Sequence, residues 1–358
     1  MKRLVLLVLV AVLLSGSAAA VELPADLTDA LPNSAEVLLR ENDFSGIDDF
    51  LQGIGRIAEQ TGEQIGGVLR QRTRDAAAVL LVVILCGAAE GGCRDSGQKR
   101  ISVLPMAGAL SISLLTAGSL DALIGLGAET VRELALFSKV LLPTLAAATA
   151  TAGAMVTATV QQVTTVFLVD VLLNLINSIL IPMVYLYIGV LTASCCMQDN
   201  RLALVAETIR KVLTWILTAV LMGFTVYLSV VKIVSGATDG TQVKLARTAI
   251  SGVVPVVGKI IADAAETVLL GAGMLKNTIG IFGMLAIFAV CIQPFLQLGV
   301  QYLVYKFTAF LSGLIGTPEI RRLIDGLGSA FGLVLGMTGA CALLLLVSVL
   351  ASVAAVIP

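Results

Sequence analysis

Two uncharged stretches in the second half of the chain place the strongest limit on its fold. Asn277 to Tyr305 is 29 residues without Asp, Glu, Lys or Arg, and Gly326 to Pro358 is 33. A transmembrane helix needs about 20 predominantly apolar residues. Hydrophobic residues make up 58% of the chain and charged residues 13%, whereas soluble domains are about one quarter charged. The sequence therefore predicts an all-α, polytopic membrane protein.

Further apolar runs set the expected number of spans. Ile101 to Leu120 is long enough for one span, and Val212 to Val231 for another. Val140 to Met197 contains a single charge, at Asp170, and is long enough for two. We therefore predict about seven or eight transmembrane helices, joined by amphipathic or re-entrant helices.

The first 75 residues predict export of the N-terminal region. Lys2 and Arg3 precede an apolar run, and small residues follow up to Ala20, as in a signal peptide over residues 1–20. An uncleaved interfacial anchor is the alternative. Residues 21–75 hold eleven acidic residues and five arginines, net −6, whereas residues 76–358 carry a net charge of +3. Because basic residues are retained in the cytoplasm, we expect residues 21–75 to form an acidic, helical, exported region.

The remaining chain divides into a first membrane hairpin, residues 76–130, and two segments, 131–236 and 237–358, that we interpret as repeats. In a single ungapped register with an offset of 112 residues, four pairs of identical residues align. They are Pro143 with Pro255, Pro182 with Pro294, Glu207 with Glu319, and Arg210 with Arg322. The order of apolar and charged elements also matches, so we predict an internal duplication. Three spans in each half would make the copies inverted, and four would make them parallel.

Two polar stripes fall inside apolar segments and are candidates for a polar pathway. The first has helical spacing i, i+4, i+7 and i+8 and consists of Asp170, Asn174, Asn177 and Ser178. An ionisable group at membrane depth is costly and points to function, although hydrogen bonding between helices would explain the neutral members. The second stripe, at i, i+4 and i+8, consists of Gln293, Gln297 and Gln301, for which such hydrogen bonding is the favoured explanation.

A third set of charges lies between the apolar runs. Lys259, Asp263 and Glu266 share one helical face at i, i+4 and i+7. One interpretation is an interfacial amphipathic helix with a solvated charged face. The other is a re-entrant element whose charged face contacts a partner or lines a pore.

The composition argues against common catalytic sites. The chain has no histidine, which removes the usual general base and the usual metal ligand. Its six cysteines include no C-x-x-C pair, and the run Gly236 to Gly240 lacks the spacing of a phosphate-binding loop. We expect no enzymatic activity, no cofactor, no metal and no nucleic acid partner.

The segment 236–283 carries a resemblance to a known family. It contains GATDG at 236–240, PVVG at 255–258, DAAETVL at 263–269 and KNTIGIFG at 276–283. In these motifs the chain resembles the stage III sporulation protein AE family of endospore-forming bacteria. The resemblance implies a multi-pass component of the mother-cell membrane around the forespore, within a secretion-like channel complex. It also implies partners: other membrane proteins of the stage III sporulation A operon, ring-forming components and an ATPase.

A second function class stays open at this level. Repeated halves, proline-interrupted spans and a carboxylate at Asp170 are also typical of secondary transporters. A transporter would move its substrate alone in a lipid bilayer, whereas a complex component would need its partners.

Overall fold

The protein is a helical bundle in the computed structural model. The structure describes residues 24–32, 47–95, 103–151, 167–197, 200–224 and 257–353, together with the single residues 35 and 226. In this part of the chain every regular element is helical, as the sequence predicts. The elements are α1 (Ala25–Asp29), α2 (Ile47–Asp95), α3 (Val103–Thr151), α4 (Phe167–Met197), α5 (residues 200–224), α6 (Val257–Ile315) and α7 (Pro318–Val353).

Four segments of the described chain are long and apolar enough to cross a membrane. They are Leu104–Thr151, Phe167–Met197, Gly273–Ile315 and Pro318–Val353. The span predicted at 212–231 continues beyond residue 224, where the description of α5 ends. The membrane class is supported by these four helices, while the total of seven or eight spans stays a prediction.

Connected helices meet at one end of the bundle, which we name the hairpin end. A Cβ at Gly108, near the start of α3, would lie 2.7 Å from the Cys86 sulfur of α2 and 3.0 Å from Ile320 of α7. The Cys195 thiol near the end of α4 donates to the carbonyl oxygen of Glu319 at 3.4 Å. The last part of α2, the start of α3, the end of α4 and the α6–α7 turn therefore all lie at this end.

The opposite end, which we name the far end, is closed by packing of α3, α6 and α7. Gly280 of α6 packs directly on Val353 of α7. A Cβ at Gly283 would lie 2.7 Å from Leu141 of α3. The α6–α7 hairpin thus forms the centre of the bundle, and α3 packs against both of its helices.

α2 runs alongside α6 and crosses a predicted domain boundary. Ile57 of α2 is fully buried, and a Cβ at Gly53 would lie 3.0 Å from Leu285. Gly53 and Ile57 of the predicted acidic N-terminal region therefore pack on the protein's own bundle. α2 continues without a break through residue 75, so the predicted exported region shares a helix with the first membrane segment. The division into domains stays a prediction.

The prolines identify where the helices deviate from ideal geometry. Pro294 lies within α6, and Pro182 follows a short π-helical turn of α4, Ile176–Leu180. Because proline lacks an N–H, its helix must lose one hydrogen bond there. In α4 the backbone N–H of Ile181 donates instead to Ile176, five residues back. α4 and α6 extend different distances beyond their aligned prolines, and the duplication stays a prediction.

Candidate functional site

The first polar stripe lies on the outer side of α4, where it forms an ion pair. The Asp170 side chain is 49% exposed, and its carboxylate lies 3.5 Å from the Lys139 ammonium of α3. Asn174 donates a hydrogen bond of 3.4 Å to the same carboxylate. Asn177 is half-buried and Ser178 is exposed, both within the π-helical turn. The charge at Asp170 is thus compensated by a neighbouring helix.

The second stripe runs from the surface into the core of the bundle. Gln293 is exposed, Gln297 is half-buried and Gln301 is fully buried. Neither side-chain amide atom of Gln301 has a hydrogen-bond partner among the described residues. An unsatisfied buried polar group costs about 1–3 kcal/mol, so hydrogen bonding between helices does not explain this glutamine here.

The two stripes lie on different helices. Residues 181–197 of α4 pack mainly against α3 and α7, whereas the glutamines lie on α6. A continuous polar pathway between the stripes therefore stays a proposal.

The third set, Lys259, Asp263 and Glu266, lies in the first turns of α6. The backbone there is helical, in agreement with one shared face, and the side chains of residues 257–272 fall outside the described part. These charges precede Gly273–Ile315, the candidate span among the described residues, on the side of α6 that leads towards the far end.

A second ion pair joins α6 to α7 near the hairpin end. The Lys306 ammonium donates to the Asp325 carboxylate at 2.7 Å, to the Asp325 carbonyl oxygen at 3.3 Å and to the Ser329 hydroxyl at 3.0 Å. It also lies 5.8 Å from the centre of the Tyr302 ring, within range of a cation–π contact. This network links the two helices of the central hairpin, at the end of the uncharged run in α6 and the start of the uncharged run in α7.

A charged cleft of about 410 Å³ opens beside this network, between α4, α5 and α7. Arg210 and Arg322 line it, together with Glu207, Asp325 and Ser329. Arg210 donates to the Glu207 carboxylate at 2.7 Å, which is the main reason that the pKa of Glu207 is lowered. Both carboxylates of the cleft are thus already paired with cations.

Arg210 and Arg322 are one of the residue pairs aligned by the predicted duplication, and the structure brings them to a single cleft. Sequence reasoning used them only as repeat markers. It also missed Lys139, Lys306 and Asp325. The sequence could have predicted the Lys306–Asp325 pair, because each residue directly flanks one of the two long uncharged runs. If the chain turns midway between these runs, Lys306 and Asp325 lie opposite each other on the two helices.

The chemistry available at these places is electrostatic. Within the described residues no group of three or more His, Cys, Asp or Glu side chains is arranged to hold a metal ion. Cys291 and Cys341 are buried in the apolar core. The charged groups are instead arranged as ion pairs that join helices and as a cleft bearing arginines.

Comparison with known proteins identifies the family. The family described as Stage III sporulation protein AE matches residues 98–356, which include α3 to α7. The chain belongs to this family. The family resemblance predicted from the segment 236–283 is thereby confirmed.

A relative of the same name supports this membership of the stage III sporulation protein AE family. The Stage III sporulation protein AE of Bacillus subtilis (strain 168) is 26% identical over 211 residues, which cover 59% of this chain and 53% of the relative. The match thus spans about half of the relative's length. No solved structure matches the chain. Family membership supports a role in stage III of sporulation and adds no support to the transporter alternative.

Proposed function

We propose that this chain is a non-enzymatic membrane component of a secretion-like channel complex between mother cell and forespore, required after engulfment. The observation that carries the proposal is the family match over residues 98–356, on a chain with four helices able to cross a membrane. The proposed partners are other stage III sporulation A-operon membrane proteins, ring-forming components and an ATPase.

We propose that the hairpin end lies in the mother-cell cytoplasm. Arg201, Arg210, Lys211, Arg321 and Arg322 belong to the helix turns nearest this end. The sequence between α2 and α3 adds Lys99 and Arg100. Because lysine and arginine are enriched in short cytoplasmic segments, this distribution supports the orientation.

The same orientation supports export of the N-terminal region. α2 runs from the far end towards the hairpin end, so residues preceding it would start on the exported side. The first turns of α6, with Lys259, Asp263 and Glu266, would also lie there, facing the forespore. An ATPase would then dock on the hairpin end, and ring-forming partners would contact the far end.

The functional proposal is tested by deleting the gene in its source organism. We expect engulfment to finish, forespore gene expression to fail and spore counts to fall, with all three restored by the full chain. The membrane-fraction level of the protein serves as the control. Normal spore counts, or an arrest before engulfment, would refute the proposal.

The orientation is tested separately with two exposed methionines at opposite ends. Met197 ends α4 at the hairpin end, and Met274 lies at the start of the α6 span. In a background without native cysteines, with the chain produced in growing cells freed of wall so that the exported side faces the medium, a membrane-impermeant maleimide should label Met274→Cys in intact cells. Met197→Cys should be labelled only after lysis. The reverse pattern would overturn the orientation.

A further inference from the structure

The charged cleft at the hairpin end has more positive charge than its own carboxylates require. Among the described residues, four cations, Arg210, Lys211, Arg322 and Lys306, lie in or beside the cleft with three carboxylates, Glu207, Asp325 and Glu319, which leaves a local charge of +1.

The Asp325 carboxylate is occupied by Lys306 at 2.7 Å, and Glu207 is shared between Arg210 and Lys211 at 2.7 and 3.8 Å. Arg322 also lines the cleft, and it forms no ion pair with another residue that the structure describes.

A bound anion would be favourable beside Arg322. This residue lies in the second turn of α7, which begins at Pro318, one helical turn after Glu319. The N-terminus of a helix carries partial positive charge, which repels cations and attracts anions. Glu319 offsets part of the positive charge there, and the guanidinium of Arg322 has the geometry to bind a phosphate in a bidentate manner.

An apolar groove continues from the charged cleft along the same face of α7. It has a volume of about 520 Å³ and is lined by α5, α6 and α7, including Leu221, Phe295 and Gly336. The charged cleft includes Ser329 and the groove begins at Gly332, three residues and about 4.5 Å further along the helix. The groove extends to Leu346, about 21 Å from Gly332 along the helix axis. That length exceeds the roughly 15 Å depth of one hydrocarbon leaflet.

A charged cleft joined to an apolar groove has the shape of a phospholipid, with a headgroup at one end and acyl chains at the other. Trp215 comes between the cleft residue Arg210 and the groove residue Leu221 along α5, on a different side of the helix, and is 72% exposed, as tryptophans at a membrane interface are. Basic pockets between transmembrane helices on the cytoplasmic side are known to suit anionic lipid headgroups.

We propose that an anionic phospholipid binds here, with its phosphate between Arg210 and Arg322 and an acyl chain in the groove beside Gly336. The site does not depend on the sporulation partners. It joins α4 and α5 to α7 through the lipid, and it requires a bilayer containing anionic lipid.

The test uses native mass spectrometry of the purified full chain in detergent, titrated with phosphatidylglycerol or with phosphatidylethanolamine of the same acyl chains. We expect phosphatidylglycerol to bind at least about tenfold more tightly, since a lost charge-assisted contact is worth about one factor of ten. Arg322→Gln and Arg210→Gln should each reduce that affinity about tenfold. Equal affinity for the two lipids would overturn the proposal.

A matched control exists on α3. Arg132 pairs with Glu129 at 3.2 Å and i,i+3 spacing, as Arg210 pairs with Glu207, but it lies away from the cleft. Arg132→Gln should leave lipid affinity unchanged. If it lowers the affinity as much as Arg210→Gln does, binding depends on total charge and the proposed site is wrong.

Two further measurements, competition by glycerol phosphate and retention of lipid through purification, distinguish a bound lipid from other occupants. Glycerol phosphate competing as well as the whole lipid would show a site for free phosphate esters, and no retained lipid would show that another part of the protein fills the groove.

Gly336→Leu, with the folded state checked by its thermal midpoint, should also weaken lipid binding, because a Cβ there lies 3.4 Å from Leu217 and a leucine fills the groove. Unchanged lipid binding by a folded Gly336→Leu variant would show that the acyl chain does not occupy the groove.

Discussion

The ion pair between Lys306 and Asp325 should measurably stabilise the central hairpin. We consider the double-mutant cycle of Lys306→Met and Asp325→Leu. The lysine makes three hydrogen bonds, and the two side chains are 30% and 51% exposed. Exposed pairs contribute about 0.2–1 kcal/mol, and breaking a buried pair costs about 3–5 kcal/mol. Since this pair is intermediate in exposure and has a short contact, we expect a coupling of about 1–2 kcal/mol.

The coupling is measured by reversible denaturant unfolding of the purified protein in mixed micelles. Each single variant should lower the free energy of unfolding, and the double variant should lose less than the sum of the two. The control cycle uses Arg132→Met and Glu129→Leu, whose side chains are 65% and 58% exposed, and should give a coupling of at most about 0.5 kcal/mol. A Lys306–Asp325 coupling no larger than the control would refute the electrostatic link between α6 and α7.

Three further predictions concern the candidate polar sites. Asp170→Leu should lower the protein level and sporulation, because it leaves Lys139 without its ion pair. If the two residues only pair, the charge swap of Asp170→Lys with Lys139→Asp should restore both. A swapped protein that is stable but does not support sporulation would assign a function to the carboxylate itself. Gln301→Met should raise the thermal midpoint, because it removes two buried unsatisfied atoms, and a lower midpoint would show that the amide has partners. Charge reversal of Asp263 and Glu266 to Lys should leave the protein in the membrane fraction and reduce spore counts after engulfment; normal counts would indicate an ordinary solvated face.

Much of the fold class follows directly from the sequence, because apolar run length alone predicts membrane helices. The runs that end at Tyr305 and begin at Gly326 became the α6–α7 hairpin, with its turn at Gly316 and Thr317. The sequence did not predict that one helix, α2, runs across the boundary placed at residue 75. The composition changes there, but a helix continues unless a capping residue or a proline ends it.

The candidate sites show the limit of reasoning from spacing within one helix. The stripe beginning at Asp170 was recognised from its spacing, but its ionic partner Lys139 lies on another helix. The stripe ending at Gln301 was recognised as well, but only packing could show that its last member is buried without a hydrogen-bond partner. The cleft holding Arg210 and Arg322 required the three-dimensional arrangement of α4, α5 and α7.

The central claim, that the chain works as part of a multi-protein membrane complex, is tested most directly by purifying the tagged full chain from sporulating cells after engulfment. The sample should be cross-linked in the membrane before detergent is added, and its components identified by mass spectrometry. The account predicts that an ATPase and ring-forming stage III sporulation proteins co-purify with the chain and are absent from an untagged control. If the chain purifies without any of these partners from a strain that still forms spores, the account is contradicted.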